Sequence, residues 1–233
     1  MATVINAIRT TLFYLYLIVS LLFVGIFCAP IRWFAPKLSR AVAKIWLSSG
    51  ILAARYLCGI RYRVEGLENI PADTPVILAS QHQSAWETFH LPTMFNMPAM
   101  IFKQELLKIP VFGDYLRYSE MVAVDRNGGM AALRDMVEQV KAKLAEGRHI
   151  LIFPEGTRIA PGQKARLHPG IAAIHAECRS VPVIPVTLNS GLYWPKDSLV
   201  KKPGLITVQF HPPLPADLKK QEMLEALARV YYE

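Results

Sequence analysis

The 233 residues suffice for one substantial domain plus an appendage, and not for two large domains. Hydrophobic residues reach 52% and the formal charge is +8, but the excess is local: eight Lys or Arg and no acid precede Glu65, and from there on 18 basic and 18 acidic residues cancel. Because the charge is interleaved with the most apolar part of the chain, nucleic-acid binding is disfavoured and an anionic lipid surface is indicated instead.

Residues 10–31 carry no formal charge and contain Leu12-Phe13-Tyr14-Leu15-Tyr16-Leu17-Ile18-Val19, in a stretch long enough to span a bilayer and closed by Pro30. A cleaved signal peptide fits less well, since a single basic residue precedes the run and no small-x-small site stands near Cys28-Ala29. Residues 37–57 predict a second helix, on which Lys37, Arg40, Lys44 and Arg55 fall within one narrow arc. Together, residues 1–64 read as a two-helix membrane-binding element that dips into or lies on a bilayer, its cations against lipid headgroups, ahead of an α/β domain over 65–233.

Arg61-Tyr62-Arg63-Val64-Glu65 alternates like a strand, and Asn69, Pro71, Asp73 and Pro75 mark loops. The apolar run Pro75-Val76-Ile77-Leu78-Ala79 then predicts a buried parallel strand feeding Ser80-Gln81-His82-Gln83-Ser84-Ala85-Trp86-Glu87, with a helix over 86–94. On one continuous helix, positions five apart sit about 140° around the axis and would not meet. With His82 in the turn and Glu87 in the first helical turns, the carboxylate can reach imidazole Nδ1 and leave Nε2 to take a proton. A histidine held so is a general base, since imidazoles titrate near neutral pH.

Further strands are predicted at 99–102, before Lys103; at 121–124, before Asp125-Arg126-Asn127-Gly128-Gly129; at 149–153, running into Pro154-Glu155-Gly156-Thr157-Arg158; at 181–186; and at 205–210. Amphipathic helices separate them: one carries Leu133, Met136, Val137, Val140 and Leu144 inward and ends at Gly147, another covers 170–178, and the last turns Leu224, Leu227, Ala228 and Tyr231 inward. Short apolar strands alternating with such helices define an α/β domain with a mostly parallel central sheet flanked by helices, whose ligands sit beyond the carboxyl ends of the strands. His82, Glu87, Lys103, Arg126 and Glu155 to Arg158 each follow a strand, so that sheet would gather them on one rim. Cations there suit a phosphate, Gly156 allows a close backbone approach, and Thr157 offers a donor. Arg166 and His168, before the helix start at Pro169-Gly170, are a further candidate anion contact. Cys28, Cys58 and Cys178 show no pairing, and neither they nor His90, His149, His168, His175 and His211 have metal-ligand spacing.

These blocks resemble, in order, those of the glycerolipid acyltransferase family, and the likeness to its bacterial 1-acylglycerol-3-phosphate acyltransferases runs over nearly the whole chain. His82 to Glu87 is similar to the family's His with Asp five residues on, Val122 to Arg126 to its strand ending in Arg, and Val181 to Val186 to its Pro-containing strand. Phe153-Pro154-Glu155-Gly156-Thr157-Arg158 matches the third block letter for letter. The resemblance implies that His82, oriented by Glu87, deprotonates the 2-hydroxyl of lysophosphatidic acid for attack on the thioester of acyl-CoA or acyl-carrier protein. It implies phosphate contacts from Arg126, Arg158 and Lys103, and an acceptor site shaped by Glu155, Gly156 and Thr157. It needs no cofactor, no acyl-enzyme and no part for Ser84, and it implies a two-helix anchor on the cytoplasmic face of a bacterial inner membrane. Two positions depart: Glu87 stands for the usual Asp and so demands a longer gap behind His82, and Ile159 stands where Ser is frequent. Relatives that acylate other lysolipids share these motifs, which leaves another lysolipid acceptor, a thioester hydrolase or a catalytically silent lipid carrier as alternatives.

Overall fold

The computed structural model describes residues 2–28, 35–109 and 112–233, without the side chains of Ala2, Pro36 and Lys37. Pro30, the expected end of the first helix, lies outside the described residues, as does the side chain of Lys37 in the expected cationic arc. Helix α1 spans Ala2–Phe27 and α2 spans Pro36–Cys58, and both are long and apolar enough to cross a membrane. They pack on each other, and Trp46 Nε1 of α2 donates to Ser20 Oγ of α1 at 3.0 Å.

After the hairpin come β1 (Ile60–Glu65), β2 (Ile77–Ser80), α3 (Trp86–Met94), β3 (Ala99–Lys103), α4 (Phe112–Tyr118), β4 (Val122–Val124) and α5 (Gly129–Ala145). The chain continues with β5 (Ile150–Ile152), α6 (Gly170–Glu177), β6 (Val183–Leu188), β7 (Gly204–Phe210) and α7 (Lys220–Tyr232). The strands form one seven-stranded sheet in the order β1-β7-β6-β2-β5-β3-β4. Five of them, β6-β2-β5-β3-β4, run parallel. Strand β7 runs antiparallel to β6, and β1 follows β7 in parallel. Residue 64, the expected end of the hairpin element, thus falls within a strand that belongs to the sheet.

Every residue of β2 and β5 is buried, which is why these strands read as continuous apolar runs. Alternate side chains serve opposite faces. Ile77, Ala79, Ile150 and Ile152 pack with α5, α6 and α7, and Leu78 and Leu151 pack with Phe13 of α1, Ile51, Ala54 and Cys58 of α2, and Trp86 of α3. The first helix therefore has a burial partner within the protein, since Phe13 is fully buried in that second core. Gly50 permits the close approach of α2 to α3, because a Cβ there would stand 2.8 Å from Phe89. Among the expected headgroup cations, Arg55 is exposed, whereas Arg40 faces Glu120 across the seam with the α/β domain at 3.6 Å.

Candidate active site

The polypeptide leaves β2 at Ser80, carries His82 in the connecting turn, and enters α3 at Trp86, so Glu87 lies in the first turn of the helix. Glu87 is fully buried, and its carboxylate accepts five hydrogen bonds. Oε1 takes His82 Nδ1 at 2.8 Å and the backbone N–H groups of Gln83 and Ser84 at 2.7 Å each. Oε2 takes the hydroxyls of Ser84 at 2.7 Å and Ser190 at 2.8 Å. Burial pushes the carboxyl up, but the hydrogen bond and charge of His82 and the donors of Ser84 outweigh it and hold Glu87 below the ordinary carboxylate range. An ionised Glu87 fixes the proton of His82 on Nδ1, and Nε2 has no hydrogen-bond partner among the described residues.

The third block clamps this histidine through its backbone. Glu155 Oε2 accepts the His82 N–H at 2.6 Å, and the Ile159 N–H donates to the His82 carbonyl at 2.7 Å. The Phe153 ring stacks on the imidazole, with centroids 4.4 Å apart and planes 26° from parallel. The other oxygen of Glu155 accepts the Tyr232 hydroxyl of α7 at 2.7 Å. Burial raises the Glu155 carboxyl against the lowering effect of these two donors. Both oxygens of Glu155 therefore have protein partners, so its geometry is that of a brace behind the histidine. Glu155→Ala would leave the His82 N–H without its acceptor, and we expect it to cost about 1–3 kcal/mol of stability. Thermal unfolding checks this, with Glu155→Gln, which keeps one acceptor oxygen, expected to lose less.

The parallel strands bring the other sequence candidates to the same edge. Gly156, at φ +66°, lies so close to the His168 ring that a Cβ would stand 2.5 Å from it. Arg126 reaches back from the end of β4 to donate to the Gly156 carbonyl, so this guanidinium braces the loop while remaining exposed. Thr157 and Arg158 are exposed, and the Arg158 side chain has no hydrogen-bond partner among the described residues. Lys103 stands on the rim with its ammonium 3.0 Å from Glu105, and no hydrogen bond joins it to His82 or to residues 153–158 among those described. His168 is exposed before α6, and its N–H donates to the Pro154 carbonyl at 2.8 Å.

Several participants have no place in the sequence reading. Ser84, expected to play no part, donates to Glu87 and accepts the Trp86 N–H at 2.9 Å. A signal for it was present, since Ser84-Ala85-Trp86-Glu87 has the Ser-x-x-Glu spacing of a capping box. Ser190, Tyr232 and Lys196, whose Nζ donates to the Arg158 carbonyl at 2.9 Å, had none.

A mostly parallel sheet with a carboxylate-held histidine beyond one strand, and a Glu-Gly-Thr-Arg loop beyond the next, defines an α/β acyltransferase. The family described as Acyltransferase matches residues 61–189. The chain is 41% identical over 216 residues to the 1-acyl-sn-glycerol-3-phosphate acyltransferase of Pseudomonas aeruginosa, covering 91% of this chain and 83% of that one. It is 28% identical over 181 residues to the Mus musculus 1-acyl-sn-glycerol-3-phosphate acyltransferase alpha, covering 76% of this chain and 63% of the other. The crystal structure of the 1-acyl-sn-glycerophosphate acyltransferase PlsC from Thermotoga maritima superimposes with a TM-score of 0.75 at 26% identity, over 97% of this chain and 95% of that one. The chain belongs to the acyltransferase family, and it is an enzyme.

Proposed function

We propose that this enzyme transfers a fatty acyl chain from a thioester, either acyl-CoA or acyl-carrier protein, to the 2-hydroxyl of lysophosphatidic acid at a membrane surface. The observation that carries this reading is the buried, ionised Glu87 holding Nδ1–H of His82 and leaving Nε2 open. The names of the relatives support the acceptor. Nε2 takes the proton of the 2-hydroxyl as its oxygen attacks the thioester carbonyl carbon. The C–S bond then breaks, and the leaving thiolate recovers that proton from the imidazolium, whose charge Glu87 has balanced throughout. No acyl-enzyme forms and no cofactor takes part.

Arg158, exposed beside this centre with no side-chain hydrogen bond among the described residues, is the residue best suited to the acceptor phosphate. Arg126 and Lys103 would contribute from the same rim, Thr157 would donate a hydrogen bond, and Gly156 would keep the approach open. Membrane association is supported by α1, on which Leu15, Ile18, Val19, Leu22, Phe23 and Ile26 are each more than half exposed. We place the domain on the cytoplasmic face of a bacterial inner membrane.

The test of the acceptor assignment is steady-state kinetics with lysophosphatidic acid and with lysolipids lacking a terminal phosphate. Arg158→Ala is expected to raise the KM for lysophosphatidic acid about tenfold or more, the loss of a hydrogen bond to a charged group, and to leave the donor KM within about twofold. Equal changes in both constants, or equal turnover of phosphate-free acceptors, would remove the phosphate role.

A further inference from the structure

Ser190 heads a short 3₁₀ turn, Ser190–Leu192, directly after β6, and it is fully buried. Its hydroxyl donates to Glu87 Oε2 across 103 residues of sequence. The other donor to that oxygen, Ser84, sits on the same loop as His82 and moves with it. Ser190 is thus the contact that fixes the carboxylate relative to the sheet from outside the loop.

The same turn is joined to helix α1. The Ser190 carbonyl accepts the Trp194 N–H at 2.8 Å. Trp194 is 6% exposed and meets Phe13 of α1 edge-on, with ring centroids 5.1 Å apart. Above the indole, 5.1 Å from its centroid, lies the ammonium of Lys201, a residue only 2% exposed. Its Nζ donates to the Tyr14 hydroxyl of α1 at 2.7 Å and to the Leu199 carbonyl at 2.9 Å, and its backbone N–H donates to Thr10 Oγ1 at 2.9 Å. Burial lowers this amine to about 8. A buried ammonium costs desolvation that a methionine of similar length would not, so packing alone does not explain a lysine there.

We propose that Ser190 is a positioning residue for the His82–Glu87 pair, and that its turn, latched to α1 through Trp194 and Lys201, makes the alignment of that pair depend on the seating of α1. The inference rests on the reading of His82 and Glu87 as the general-base pair. A small displacement of a reacting group costs rate with little cost to binding, so the signature is in kcat.

The test uses the full chain in vesicles of phosphatidylethanolamine and phosphatidylglycerol, with kcat, both KM values and thermal unfolding measured for Ser190→Ala, Lys201→Met and the double variant. Ser190→Ala should lower kcat about tenfold, the worth of one hydrogen bond to a charged group, with both KM values within about twofold. Lys201→Met should unfold at the same or a higher temperature and still lose kcat, and Tyr14→Phe should reproduce that loss. The double variant should lose no more than the worse single one, because the two changes break one connection. An unchanged kcat in Ser190→Ala overturns the positioning role. Unchanged kcat in Lys201→Met and Tyr14→Phe, or losses that multiply in the double variant, overturn the link to α1. Should Ser190→Ala fail to fold, the Lys201 and Tyr14 variants, which leave Ser190 in place, decide alone. His82→Ala measured alongside separates the two levels: full activity there removes the base reading itself, and loss of activity there with a fully active Ser190→Ala removes only this inference.

Discussion

Replacing His82 by alanine is expected to lower acyl transfer by about a hundredfold to ten-thousandfold, the range for loss of a general base. The side chain is only 15% exposed, and the backbone bonds from Glu155 and Ile159 do not depend on it. Folding and membrane binding should therefore persist. The gap left against Phe153 and the released Nδ1 partner of Glu87 call for a stability control, for which His82→Gln, with an amide donor toward Glu87, is the gentler variant. Activity assays paired with thermal unfolding check both statements; loss of activity only in step with loss of folded protein would count against a catalytic role.

Glu87→Gln is expected to cost about a hundredfold in kcat, at the lower end of the range for impaired acid–base catalysis. The amide oxygen can still accept from His82 Nδ1 and the two backbone N–H groups, and the hydroxyls of Ser84 and Ser190 can turn to accept from the new NH₂. The tautomer survives, but the negative charge that would balance the imidazolium in the proposed proton abstraction does not. Glu87→Ala should be worse in a second way, because it leaves two buried backbone donors without an acceptor and so lowers stability as well. Kinetics and unfolding of both variants separate the charge effect from the loss of hydrogen bonds, and a Glu87→Gln enzyme with unaltered kcat would remove the charge-balancing role.

Much of this arrangement was legible in the chain because the sheet's central strands are buried on both faces. Ile77-Leu78-Ala79 and Ile150-Leu151-Ile152 read as strands without any alternation to help, and the residues after them read as a rim because parallel strands end at one edge. Strand direction was not legible at the other edge, where β7 turns antiparallel to β6 and carries β1 with it. Both directions satisfy the same pattern of apolar residues. The short elements Gln104–Lys108 and Phe112–Tyr118 also escaped, being too brief to establish a period.

Within the site, His82 and Glu87 announced themselves by residue type and spacing, whereas the surroundings that make Glu87 an ionised partner did not. Two of its five donors are backbone N–H groups, which any sequence would supply, and Ser190 is a single serine with no pattern around it. Glu155 and Arg126 were legible as members of the site, but the histidine backbone and the loop carbonyl that occupy them were not. Lys201 carried no signal in the sequence, because only the fold brings Tyr14 and Trp194 around it. The gap behind His82 that a Glu in place of Asp demands is filled by Glu87 with all five contacts between 2.7 and 2.8 Å.

The most direct measurement of the central claim is transfer of a labelled acyl chain, from acyl-CoA and from acyl-carrier protein, to lysophosphatidic acid in membranes carrying the wild-type chain or His82→Ala. Labelled phosphatidic acid from the wild type, falling to the background of membranes without the protein in His82→Ala, is the expected result. Free labelled fatty acid released without any acceptor, or equal phosphatidic acid formation by the two proteins, would contradict it.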